Sequence, residues 1–221
     1  MKLGIPIIKI CCIQDRTEAQ LAMDLGANAL GLVSEMPSGP GVISLDQIRD
    51  IAAFIPIPIN SVLLTSKQSS EEILEQVEYC KPTAIQIVDK ILFGSHQDIH
   101  AAFPELIIIQ VIHVNGIEAI VETEKVSSDV DAILLDSGNK LLATKVLGGT
   151  GRAHNWSIST QICRYAQISV ILAGGLNQTN VREAIRTVNP AGVDVCSGVR
   201  TNGKLDRVKL TSFMNNIQWP K

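Results

Sequence analysis

The sequence predicts an α/β fold, and within that class a (β/α)8 TIM barrel formed as one domain over residues 1–221. Three observations carry this. Eight short runs rich in Ile, Val and Leu recur along the 221 residues, most of them separated by a segment of helical period. Hydrophobic residues make up 46% but aromatics only 4%, so the core is aliphatic, as expected of strands buried on both faces. No run is followed by the Gly-x-Gly-x-x-Gly turn of an open dinucleotide-binding sheet. Together with the regular unit spacing, that favours the closed barrel over a doubly wound sheet.

In chain order the strand-like runs are 5–11, 29–34, 59–64, 84–88, 106–112, 132–136, 169–173 and 192–196. Each is short and flanked by polar residues or Gly. The segment 17–25 places Ala19, Ala22, Met23 and Leu25 near one helical face. Ser44 reads as the N-cap of a helix over 45–54. Ser69 reads as the N-cap of one over 70–79, with Glu72 at the capping-box position. A helix over 177–188 has a polar start and Pro190 beyond its end, and 206–217 closes the chain. His96 and His100 lie four apart on a further helix, a spacing that suits a metal, but surface-type residues surround them and no metal site is expected there.

The net charge of -3, with no Lys/Arg run, argues against a nucleic-acid partner. The N-terminal apolar stretch is short and is interrupted by Pro6 and Lys9, unlike a secretory signal, and no run approaches membrane-spanning length. The five cysteines are odd in number and scattered, which fits neither a disulfide framework nor a zinc spacing. A reduced, cytoplasmic compartment is the expectation. No cofactor is implied, and the sequence does not indicate an oligomeric partner.

Two of the runs end in side chains able to move protons, the first in Cys11 and the sixth in Asp136. A barrel gathers all C-terminal strand ends at one mouth, so the two would face each other there. Either residue also has a plainer reading, Cys11 as a small buried hydrophobe and Asp136 as a helix N-cap. Glycines cluster after the late runs, at Gly148-Gly149-Thr150-Gly151, Gly174-Gly175 and Ser197-Gly198. Such loops bring backbone N–H groups close to an anion, and the loops after strands seven and eight are the habitual phosphate site of this barrel. Gly149, Gly151, Gly174, Gly175, Ser197 and Gly198 are therefore the candidate ligands of a substrate phosphate. Lys9 shares a strand face with Cys11 by period two and has two readings, an ion pair with Asp194 or a direct substrate role. Arg152 and Arg200 have two readings, side chains that reach the mouth (Arg200 as a replacement cation) or solvated loop residues, the second being preferred, and His113 and His154 read as mouth-lining or structural. The remaining cysteines carry no separate functional signal.

Taken together, the motifs resemble the phosphoribosylanthranilate isomerase family of tryptophan biosynthesis. Lys9-Ile10-Cys11 resembles its opening Lys-Ile-Cys-Gly, and the segment from Leu25 to Gly31 resembles Leu-Gly-Ala-Asp-Ala-Leu-Gly. The run from Asp131 to Asp136 resembles the strand presenting its catalytic Asp. Gly148-Gly149-Thr150-Gly151 with Asn155-Trp156, Leu172-Ala173-Gly174-Gly175-Leu176-Asn177, and the segment from Gly192 to Val199 all resemble family strings, the last with Cys196 where the family has Ser. The resemblance implies an Amadori rearrangement of a small phosphorylated sugar linked to an amine. It makes Asp136 the general acid at the ring oxygen and Cys11 the general base at C2′.

The departures from the family pattern gather in the first five units. Gly41 stands where the family places the Arg that holds the anthranilate carboxylate, and Cys12 where it has Gly. Gln14-Asp15 replaces Thr-Arg, Val88 and Asp89 replace His-Gly, and His113 replaces Arg; outside these units, Arg200 stands at a usual Glu. An Arg–carboxylate bond is typically worth ~1.5–3 kcal/mol, so anthranilate recognition is expected to be weaker unless another cation substitutes. The alternatives to the isomerase are a paralogue acting on another phosphorylated sugar and a non-catalytic barrel that binds a phosphate ligand.

Overall fold

A computed structural model describes residues 6–137 and 156–219. Eight parallel strands close on themselves. They are Ile7–Ile10 (β1), Ala29–Val33 (β2), Asn60–Thr65 (β3), Ala84–Ile87 (β4), Ile107–His113 (β5), Ala132–Asp136 (β6), Ser169–Leu172 (β7) and Gly192–Val195 (β8). Helices follow them in turn: Arg16–Asp24 (α1), Leu45–Phe54 (α2), Ser70–Cys80 (α3), His96–Ala102 (α4), Glu118–Val126 (α5), Trp156–Tyr165 (α6), Val181–Val188 (α7) and Arg207–Asn216 (α8). Between β8 and α8 lies a small antiparallel hairpin, Arg200–Thr201 (β9) with Lys204–Leu205 (β10), which the hydrophobic pattern does not foreshadow.

The strands alternate as buried parallel strands must. One set of side chains, including Val62, Leu64, Ile109, Val111, Leu134 and Ile171, fills the barrel interior. The other set, including Leu30, Leu63, Ile85, Ile108, Ile133 and Leu172, packs outward against the helices. Period two then carries Cys11 and Asp136 to the inner face at the C-terminal ends. Closure fixes the rest of the register. β1 lies beside β8 with Lys9 opposite Asp194, so two residues 185 apart in sequence become ladder partners.

The cap chemistry holds at α2, where Ser44 and Gln47 form a capping box, and at α8, where Asp206 accepts from the backbones of Val208 and Lys209. It does not hold at α3. Ser69 makes no side-chain cap bond, and the Glu72 carboxylate, which the box would turn back to the Ser69 backbone N–H, receives Lys67 Nζ at 2.9 Å. The helix expected over 177–188 begins only at Val181. Asn177 and Asn180 bond to nearby backbone N–H groups and hold residues 177–180 in a turn. The two helical histidines diverge, His96 toward Gln110 Oε1 at 2.9 Å and His100 toward Asp131 at 3.8 Å. Among the described residues no cluster of His, Cys, Asp or Glu has a metal-holding arrangement, and no helix is long and apolar enough to cross a membrane.

Candidate active site

Cys11 stands one residue past β1 and Asp136 is the last residue of β6. Both are buried, and both line one narrow cavity at the C-terminal ends of the strands. Gln86 from β4, Asp194 from β8 and Cys196 just beyond β8 share its wall. Gly31 of β2 leaves the room these groups need. A Cβ there would fall 2.8 Å from Cys11 Sγ and 3.0 Å from Lys9 Nζ.

Lys9 is fully buried under this cavity, with Nζ 2.9 Å from Asp194 Oδ1. That settles the two readings of Lys9 on the side of the ion pair. Burial alone would discharge the amine, but the Asp194 carboxylate and the Cys11 sulfur outweigh it and raise its pKa. The pair is polarised across the site. A hydrogen bond from Cys12 lowers the Cys11 pKa against the opposing effect of burial, and the Lys9 charge lowers it further. Burial lifts Asp136 to about 6; the Ser137 backbone N–H at 2.7 Å opposes this, and Asp194 adds to the rise. One buried ion pair thus helps push a thiol toward its anion and a carboxyl toward its acid, the separation that acid–base catalysis requires.

Arg200 is not a solvated loop residue. It is 8% exposed, and its guanidinium meets Glu18 of α1 through two bonds, Nη1 to Oε1 at 3.0 Å and Nη2 to Oε2 at 2.9 Å. The same group donates to the carbonyls of Gly203, Cys11 and Cys12. It therefore braces the turn that presents Cys11, and does not replace the missing cation at the mouth. The side chain of His113 is likewise buried, its Nε2 3.2 Å from the Val88 carbonyl oxygen.

The glycine loops after β7 and β8 come together. Asn177 and Gly198 bridge as parallel backbone partners, and a Cβ on Gly198 would sit 2.0 Å from the Leu176 carbonyl oxygen. Gly174 and Gly175 have φ of 82° and 68°, where side chains are disfavoured. Ser197 lies at the exposed tip of the second loop. Gly149 and Gly151, with Arg152 and His154, lie outside the described residues.

Gly41, in the loop after β2, has φ of 79°, and a Cβ there would fall 2.5 Å from Cys12 Cβ. Two departures from the family pattern, Gly41 for Arg and Cys12 for Gly, are therefore one packing arrangement. An arginine does not fit at position 41 while Cys12 keeps its side chain. Sequence reasoning passed over Glu18, Gly31 and the contact of Cys12 with Cys196, whose sulfurs are 2.6 Å apart. The signals available were the paired departures at 12 and 196 and the unexplained charge at 200.

The chain is a closed (β/α)8 barrel with a buried thiol and a buried carboxyl lining one cavity at its mouth, a layout suited to acid–base chemistry. Comparison with known proteins narrows this. The model of the N-(5'-phosphoribosyl)anthranilate (PRA) isomerase family matches residues 8–216. An N-(5'-phosphoribosyl)anthranilate isomerase of Methanothrix thermoacetophila is 33% identical over 211 residues, covering 96% of this chain and 97% of the relative. N-(5'-phosphoribosyl)anthranilate isomerase 2 of Methanosarcina mazei is 37% identical over 213 residues, covering 96% and 93%. Phosphoribosyl anthranilate isomerase from Thermotoga maritima superposes with a TM-score of 0.79 at 27% identity, covering 96% and 98%. A phosphoribosyl anthranilate isomerase in complex with reduced 1-(o-carboxyphenylamino)-1-deoxyribulose 5-phosphate superposes at 0.76 with 26% identity, over the same shares. The chain belongs to the N-(5'-phosphoribosyl)anthranilate isomerase family.

Proposed function

We propose that this protein carries out the Amadori rearrangement of N-(5'-phosphoribosyl)anthranilate in tryptophan biosynthesis, with Asp136 as general acid and Cys11 as general base. It is an intramolecular isomerase, and the reaction needs no net gain or loss of atoms. Asp136 gives its proton to the ribose ring oxygen as the C1′–O bond breaks, and the amine nitrogen's lone pair forms the C1′=N iminium. Cys11, as thiolate, removes the C2′ proton, and the electron pair flows to the iminium nitrogen. The resulting enolamine tautomerises to the amino-ketose phosphate. The observation that carries the reading is that Cys11 and Asp136 line one cavity, with acidities moved in the directions these roles demand.

The phosphate is assigned to the loops holding Gly174, Gly175, Ser197 and Gly198, with Gly149 and Gly151 from the sequence that follows β6. Support comes from the backbone bridge between the first two loops and from their place after the seventh and eighth strands. The reading places the protein in the cytoplasm, where its cysteines stay reduced. With Gly41 in the loop after β2, the anthranilate carboxylate lacks the arginine of the family pattern. Affinity for the aromatic half is then expected to be one to two orders of magnitude weaker, from the ~1.5–3 kcal/mol of such a bond. Complementation of a tryptophan auxotroph lacking this isomerase tests the reading, with turnover of N-(5'-phosphoribosyl)anthranilate by the purified protein measured alongside. Growth and turnover are expected. Failure of both would overturn the assignment.

A further inference from the structure

Three cysteines converge at the barrel mouth, and the isomerisation uses only Cys11. Cys12 follows it with a backbone φ of 64°, a left-handed conformation that non-glycine residues rarely hold. Cys196 stands one residue beyond β8. The two sulfurs, 184 residues apart in the chain, are 2.6 Å apart in space. The family pattern has Gly and Ser at these two positions, so two departures from it meet at one point, and both bring a thiol. Cys196 is half-buried and open to small reagents, whereas Cys12 is buried against Gly41. Cys196 donates to Cys12, and Cys12, next to Cys11 in sequence, is the leading influence that lowers the Cys11 pKa. The second and third thiols are thus wired to the first.

We propose that Cys12 and Cys196 form a reversible disulfide with a low-molecular-weight disulfide as oxidant, and that closing it silences proton transfer at Cys11. The existence of the pair stands on side-chain geometry, while the silencing rests on the reading of Cys11 as base. The Cys196 thiolate attacks one sulfur of the oxidant, forming a mixed disulfide and releasing one thiolate. Cys12, whose pKa is raised by Cys11, by Cys196 and by burial, gives up its proton as its sulfur attacks Cys196 Sγ, forming the internal S–S bond and releasing the second thiolate. The protein loses two protons and two electrons, and the oxidant becomes two thiols. Oxidised Cys12 has no S–H left to donate to Cys11, so the thiolate loses its leading stabilisation. The bond also ties the loop after β1 to the neighbouring loop after β8, in the wall of the cavity that Cys11 lines. Transient disulfides of this kind are the form that redox sensing takes in a reducing compartment.

The test uses the purified full chain incubated with glutathione disulfide, alkylated and mapped by mass spectrometry, with turnover measured before oxidation, after it, and after dithiothreitol. The expected result is a linked peptide pair joining Cys12 to Cys196, a fall in turnover of about tenfold or more, and recovery on reduction. In Cys196→Ser the linked pair is absent, and turnover, each sample referred to its own reduced state, no longer responds to the oxidant. Three results would overturn the proposal: a Cys11–Cys12 bond or only mixed disulfides in the map, undiminished turnover of the linked protein, or an equal loss of turnover in Cys196→Ser. If the reduced protein does not turn over N-(5'-phosphoribosyl)anthranilate at all, the silencing falls together with the functional reading. The map alone then upholds or overturns the disulfide.

Discussion

Replacing Asp136 with asparagine separates what this carboxyl costs the fold from what it does for the reaction. Asp136 is 9% exposed, and its pKa stands at about 6 instead of the ordinary 3.8. Between those two values the unfolded chain has released the proton and the folded protein still holds it. Stability therefore falls as pH rises across that window and is flat above it. A rise of this size costs the folded protein on the order of 3 kcal/mol at neutral pH. Asparagine has nearly the same shape and no charge to bury. Its amide oxygen still accepts the Ser137 backbone N–H that Asp136 accepts at 2.7 Å. D136N is thus predicted to be more stable than wild type at pH 8 by on the order of 3 kcal/mol, and equal to it at pH 4. Its turnover should fall by about 10²–10⁴-fold. Urea unfolding at intervals from pH 4 to pH 8, followed by circular dichroism, reads the difference directly. A stability difference that does not change with pH, or a variant less stable than wild type at pH 8, would refute the argument.

Three further outcomes follow from particular contacts. Lys9→Met leaves the Asp194 charge buried without its partner and should cost about 3–5 kcal/mol in urea unfolding. Adding Asp194→Asn should recover part of that loss, whereas strictly additive losses would show the pair to be uncoupled. Gly198→Ala puts a methyl group 2.0 Å from the Leu176 carbonyl and must part the two glycine loops. KM for the phosphorylated substrate should rise by about tenfold or more, in line with losing one or two charged hydrogen bonds; an unchanged KM would move the phosphate elsewhere. Gly41→Arg alone should lower the unfolding midpoint, because its Cβ meets Cys12. The double variant with Cys12→Gly should regain much of that stability and bind a carboxylated aromatic product analogue more tightly than wild type does.

The barrel was legible because its signals are local. Aliphatic runs such as 132–136 and capped helices such as 45–54 declare themselves within a few residues, and these two coincide with β6 and α2, whereas the helix read over 177–188 starts four residues late, at Val181. Helix α5 was not legible, since Ile117 occupies its N-cap and makes no side-chain cap bond. At α3 an ion pair to Lys67 took the glutamate that the capping box would have used. Cys11 and Asp136 stood out as ionisable groups ending apolar strands. What surrounds them did not, because it depends on closure. Only the pairing of β1 with β8 sets Lys9 beside Asp194, Arg200 beside Glu18 and Cys12 beside Cys196, partners more than 180 residues apart. Arg200 reads as a loop residue until the short β9–β10 hairpin, formed by two-residue strands, turns it inward.

In the proposed mechanism a thiol at the end of β1 and a carboxyl at the end of β6 together move the protons of an Amadori rearrangement. Steady-state turnover of N-(5'-phosphoribosyl)anthranilate by the reduced wild-type protein and by Cys11→Ala, at matched folded concentration, tests it most directly. Measurable turnover by wild type and a loss of about 10²–10⁴-fold in kcat in the folded variant are expected. Turnover by Cys11→Ala close to that of wild type would contradict it.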